Sequence, residues 1–188
     1  FITQGFDYIL FTGVVETGWD EVLAEVNEAE IPLILIDRMP DCADKIDYVA
    51  AFGGDFVEEG RRAGRWVAAN MHGKANVAEL VGTVGSAPAI DRKKGFEEII
   101  KDYPDIKIIK SQSGDFTRAK GKEVMESFLK SPEADQIQVL FAHNDDMALG
   151  AIQAIEEAGK KPGKDIKIVS IDGVKTMFEA ILAGKAKS

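Results

Sequence analysis

The chain of 188 residues is 45% hydrophobic and 29% charged, a balance that excludes disordered and collagen-like polymers and suits one domain, or one with part of another. Its formal net charge of −9 argues against a nucleic-acid partner, because phosphate backbones attract basic surfaces. The single cysteine, Cys42, excludes an internal disulfide framework and any multi-cysteine zinc site, and no apolar run reaches the ~18 residues of a membrane-spanning helix.

Taken in chain order, the first five residues lack a basic n-region and a small-residue cleavage site, so they do not read as a signal peptide. They read as the tail of a helix closed by Gly5, and the last residues stop just after a predicted helix, so the chain reads as a fragment. Residues 8–12 are a predicted strand and 20–29 a helix. The apolar run 32–36 suits a strand buried on both faces, and 48–52 is a shorter candidate. Gly53-Gly54 suits either a hinge or an ordinary strand-to-helix loop. Next comes a capping box, Asp55 with Glu58 three residues later. Behind it Phe56, Gly60, Ala63, Gly64, Val67 and Met71 share one face, while Arg61, Arg62 and Arg65 point away. Further strands are predicted at 76–81, 106–111, 139–143 and 166–171. Thr117 caps a helix whose stripe is Gly121, Val124, Met125, Phe128 and Leu129, and Met147, Ala148, Ala151, Ile152 and Ile155 repeat the pattern ahead of Gly159. Strands alternating with helices indicate an α/β fold with a parallel sheet covered on both faces.

In open parallel sheets ligands bind beyond the carboxyl ends of the strands. Those ends carry Asp37-Arg38, the glycine-rich 82–86 loop leading to Arg92, then Gly114-Asp115-Phe116, Asn144-Asp145-Asp146, and Asp172-Gly173. Carboxylates, forked guanidinium groups and a carboxamide match vicinal sugar hydroxyls, and an aromatic ring matches the less polar face of a sugar. Any one of these residues also has a bland explanation, since Asp and Asn after strands cap helices.

Rival chemistries are weakly supported. The 82–86 loop has neither a P-loop lysine nor GxGxxG spacing, and no serine lies in a GxSxG elbow. His143, ending an apolar strand, reads as a satisfied buried imidazole, and His72 as a solvated cation at a helix C-terminus. Cys42 has no basic neighbour to activate it. Asp145 and Asp146 lack a third metal ligand. Trp19 either reaches the cleft or covers core. No catalytic constellation, metal site or cofactor site emerges.

The blocks IPLILIDR (31–38), GTVGSAPAIDRKKGF (82–96), SQSGDFTRAKGKEVMESFL (111–129), AHNDDMALGAIQAIEEAG (142–159) and SIDGV (170–174) resemble periplasmic sugar-binding proteins of the ribose/galactose type, most closely those that bind galactofuranose. The resemblance implies a periplasmic binding protein type I fold, doubly wound and bilobal, with residues 1–52 an incomplete N-terminal lobe and 53–188 a nearly complete C-terminal lobe. It implies non-enzymatic binding of a monosaccharide for an ABC permease, and a periplasmic location. The alternative is a sugar-sensing effector domain of a lactose-repressor-type regulator, which shares the fold. The ligand-binding residues it implies are Asp37, Arg38, Arg92, Phe116, Asn144 and Asp172, with Asp145 capping its helix. An incomplete lobe is also expected to drive self-association.

Overall fold

The computed structural model describes residues 1–187. Among them seven strands form two parallel sheets. The first joins β1 (Ile9–Phe11), β2 (Leu33–Ile36) and β3 (Ala50–Phe52) in the order β1-β2-β3. The second joins β4 (Lys74–Val81), β5 (Asp105–Ser113), β6 (Val139–Ala142) and β7 (Lys167–Val169) in the order β5-β4-β6-β7. Six helices accompany them: α1 (Asp20–Glu28), α2 (Phe56–Asn70), α3 (Ala87–Ile100), α4 (Arg118–Leu129), α5 (Asp145–Glu157) and α6 (Lys175–Leu182). No described helix is long and apolar enough to cross a membrane.

The four-stranded sheet follows the period-2 rule on both faces. Val77, Val139 and Phe141 lie in a core with Ala63, Val67 and Phe96 of α2 and α3. Ala78, Leu80, Leu140 and Ala142 lie in another with Val124, Met125, Phe128 and Ile155 of α4 and α5. Alternate side chains therefore enter different cores, as a sheet sandwiched between helix layers requires. Helices α2 and α3 meet at glycines. A Cβ on Gly60 would stand 2.0 Å from the Arg92 carbonyl oxygen, and one on Gly95 would stand 1.9 Å from that of Val57. Only glycine permits this approach, which sets the start of α2 directly beside Arg92.

The three-stranded sheet departs from expectation. Ile9, Leu33 and Leu35 bury against Leu23 and Val26 of α1, but Leu10 is 64% exposed, Phe52 65% and Ile36 37%. β2 is thus covered on one face, where its unbroken apolar run predicted two. The N-terminus forms a single 3₁₀ turn, Ile2–Gln4, closed by Gly5 at φ 68°. The capping box at α2 is half made. Asp55 accepts the Glu58 N–H at 2.9 Å, but the Glu58 carboxylate turns to Arg61, Arg62 and Arg65 instead of reaching back. Gly53 is explained by crowding, since a Cβ there would lie 2.5 Å from the Asp37 carbonyl oxygen.

Candidate functional site

The C-terminal ends of the strands surround a cavity of ≈ 180 Å³ lined by Asp37, Arg38, Arg92, Phe116, Asn144 and Asp172, together with Phe56 and Pro88. All six residues expected from the sequence meet here, although they come from five separate segments of both sheets.

Each is held by its local backbone. Asp37 follows β2 at φ 66° and donates its N–H to the Phe52 carbonyl at 2.6 Å. Arg38 lies 3.4 Å from the Asp37 carboxylate, donates from Nη1 to the Val14 carbonyl at 3.1 Å, and sits 5.6 Å from the Phe116 ring centroid. Phe116 follows β5 at φ 57°, and its ring lies on Gly82, where a Cβ would fall 1.9 Å from Cζ. This is the physical role of the glycine-rich loop after β4: it clears room for an aromatic ring.

Asn144 caps a helix and lines the cavity as well. Its Oδ1 caps α5 by accepting the Met147 N–H at 3.0 Å, and its Nδ2 donates to the Phe116 carbonyl at 3.1 Å. One amide hydrogen and one lone pair remain for a ligand. Asp145 departs from expectation, for the helix is capped by Asn144. The buried Asp145 carboxylate instead accepts the Ser170 hydroxyl and the N–H groups of Gly173, at 2.7 Å, and Val174, at 2.9 Å. That clamp ends β7 earlier than predicted and holds Asp172 at φ 126°. Three of the six site residues, Asp37, Phe116 and Asp172, therefore occupy left-handed backbone. Such strain costs of order 1–3 kcal/mol per residue and clusters at ligand clamps.

Arg92 is buried and held on several sides. It donates from Nε to Glu59 at 2.9 Å and from Nη1 to the His143 carbonyl at 2.7 Å. Its Nη2 faces the Asp172 carboxylate at 3.8 Å. The rings of Phe56 and Phe116 flank the guanidinium at 5.2 and 5.9 Å. Burial pushes the Asp172 carboxyl up from its ordinary range, opposed by the Arg92 charge.

Behind Arg92 lies a polar cluster inside the sheet. His143 and Glu79 are fully buried, and Nε2 of His143 donates to Glu79 at 3.2 Å. Lys93 and Ser111 donate to the other carboxylate oxygen. Burial works to raise the Glu79 carboxyl, but these donors outweigh it and hold it at about 2. Burial pushes His143 down, leaving it neutral at pH 7. The imidazole is only half satisfied, because Nδ1 has no hydrogen-bond partner.

Other candidates lie elsewhere. Trp19 packs on Phe11 at 4.9 Å between centroids and donates to the Val15 carbonyl, so it covers core and does not line the cavity. His72 is exposed, just past the end of α2. Asp20, Asp41 and Cys42 place one potential metal-ligand atom each within 4.8 Å of one another, but burial and the Asp20 charge push the Cys42 thiol up, away from the thiolate a metal needs. Sequence reasoning missed Phe56, Pro88 and Glu59. The helical period assigns Phe56 to the core, and no local signal marks Glu59, whose partner lies 33 residues away.

Residues 1–188 match the family described as periplasmic binding protein domain. Over its whole length the chain is 54% identical to the galactofuranose-binding protein YtfQ of Escherichia coli (strain K12), of which it spans 60%. It superposes with a TM-score of 0.93 on the periplasmic binding protein component of the arabinose ABC transporter from Shewanella sp. ANA-3, bound to α- and β-L-arabinofuranose, at 49% identity, covering 98% of this chain and 61% of that one. A Mycobacterium smegmatis protein in complex with β-D-fucofuranose gives a TM-score of 0.93 at 55% identity, with 98% and 61% covered. The chain thus spans about three-fifths of the length of these relatives. Its two parallel sheets, its rim of polar strand ends and this match place it in one family: the chain belongs to the periplasmic binding proteins.

Proposed function

We propose that this protein binds one uncharged monosaccharide, in furanose form, between lobes formed by residues 1–52 and 53–188, and delivers it unchanged to an ABC permease outside the cytoplasm. The observation that carries this reading is the convergence of Asp37, Arg38, Arg92, Phe116, Asn144 and Asp172 on one cavity of ≈ 180 Å³. That volume is below the ~300 Å³ at the lower end of drug-sized sites and suits a single ring. The furanose form is suggested by the sugars named for the three relatives. One of these is by its own description part of an ABC transporter, which favours transport over the effector domain of a regulator. Sugar hydrolysis requires two carboxyl groups flanking the scissile bond. Here both cavity carboxylates face a guanidinium group, Asp37 that of Arg38 and Asp172 that of Arg92, an arrangement that favours holding a sugar over hydrolysing it.

Calorimetry against arabinose, galactose and their phosphates tests the reading. The expected result is binding of a neutral sugar in preference to its phosphate, with the sugar recovered intact. Asn144→Ala or Asp172→Ala should each cost ~1–3 kcal/mol of binding, since each strands a buried partner. Arg62→Ala, on an exposed helix face, should cost almost nothing. Uniformly tighter phosphate binding, turnover of the sugar, or equal losses in all three variants would defeat the proposal.

A further inference from the structure

We propose that Glu59, which does not line the cavity, sets the charge selectivity of the cleft by positioning Arg92 and cancelling its charge, so that neutral sugars enter and their acids are rejected. This rests on the sugar-binding reading above. An arginine on a ligand cavity ordinarily favours anions, because two parallel N–H groups fork onto a carboxylate or phosphate. Arg92 has been denied that use. Its Nε is taken by Glu59 at 2.9 Å and an Nη1 hydrogen by the His143 carbonyl at 2.7 Å. What remains faces Asp172 at 3.8 Å and suits single hydrogen bonds to hydroxyl groups.

Charge points the same way. Around the cavity Arg38 is matched by Asp37, and Arg92 by Asp172. Glu59 adds a third carboxylate to two guanidinium groups. A further acid, Asp145, lies behind Asp172, committed to Ser170 and two backbone N–H groups. The surplus is therefore negative where a ligand carboxylate would have to sit, and low-dielectric walls of Phe56 and Phe116 strengthen the repulsion. The placement of Glu59 is built into the fold. It sits next to Gly60, whose missing side chain lets α2 touch the Arg92 backbone. Gly54 leaves its carboxylate room, since a Cβ there would be 2.8 Å from Oε1.

The test is calorimetry of the whole chain with galactose, arabinose and galacturonate, in the wild type and in Glu59→Gln and Glu59→Asp. Gln keeps an oxygen for Arg92 but loses the charge, whereas Asp keeps the charge. The wild type should prefer the neutral sugars, and Glu59→Gln should shift the ratio toward galacturonate by about tenfold, a shift that added salt reduces. Glu59→Asp should weaken all three ligands yet keep the wild-type ratio. A ratio unchanged in Glu59→Gln, or shifted equally in both variants, would overturn the role of Glu59 while leaving sugar binding intact. A wild-type chain that binds none of the three would overturn the sugar-binding reading and this proposal with it.

Discussion

The two sheets are built by the same rule and end in different states. In the four-stranded sheet, β4 and β6 are covered by helices on both faces, and Leu80, Val139, Leu140 and Phe141 are inaccessible. In the three-stranded sheet, one helix covers one face, while Leu10 and Phe52, and Tyr8 and Val49 just before β1 and β3, are each more than 60% exposed. The difference teaches where ligand chemistry can be anchored. Arg92, on α3, and Asn144 and Asp145, at the start of α5, stand on helices that cover the four-stranded sheet and are nine-tenths or more buried, each held by at least two hydrogen bonds. Asp37 and Arg38 come from the singly covered sheet and are more exposed. They are held by the Phe52 carbonyl, the Val14 carbonyl and one another.

The sharpest way to break this comparison is to remove one apolar side chain from each sheet. Phe141 is fully buried and stacks on Phe96 at 4.5 Å, so Phe141→Ala should cost about 3–5 kcal/mol in chemical denaturation. Ile36 faces outward from β2, and Ile36→Ala should stay within about 0.5 kcal/mol. Similar losses at the two positions would mean that the open face of the smaller sheet is covered in solution.

A second, smaller effect concerns acid. The Glu79 carboxyl is held at about 2 in the folded chain against an ordinary 4.5. Its contribution is therefore complete above about pH 4.5 and fades as pH falls through 2. His143, pushed below its ordinary 6.5, acts in the same direction, because the unfolded chain takes up its proton first as pH drops. Glu79→Gln should destabilise by about 1–3 kcal/mol at pH 7 and by clearly less at pH 3, read from denaturation at the two values. A deficit that stays constant would show that Glu79 is not ionised in the fold.

A third, more modest loss is expected in the three-stranded region. Asn27 bridges Asp47 through two backbone hydrogen bonds, both 2.8 Å, and ties the end of α1 to the approach to β3. Both bonds are open to solvent, so Asn27→Ala should cost about 1 kcal/mol, measured by thermal or urea unfolding. A loss matching that of Phe141→Ala would reverse the ranking of the two regions.

Much of this was legible in the sequence, for reasons that are local. Periodicity marked the helices with amphipathic stripes, and Thr117 capped its helix as read, accepting the Lys120 N–H at 3.2 Å. Strand ends were legible to within two residues because apolar runs stop where the backbone leaves the sheet. That these six residues share one cavity was legible because each stands just after a strand, or inside a block that resembles the family, and parallel strands bring their ends to one side. α3 was harder: its cap Ser86 makes no side-chain capping bond, its hydroxyl going to the Thr83 carbonyl at 2.7 Å, and no apolar stripe announced it.

The amino-acid sequence by itself determined the alternation of strand and helix, the identity of the rim and the family, since all of these follow from neighbours along the chain. Only the tertiary structure decided that β2 is covered on one face, because burial depends on which elements are present to cover it. It also decided that Asp145 clamps the Ser170–Val174 loop instead of capping its own helix, that Glu59 takes up Arg92, and that Glu79 meets His143 across 64 residues. A carboxylate's partner is chosen by distance in space, and when that partner lies tens of residues away no local pattern records it.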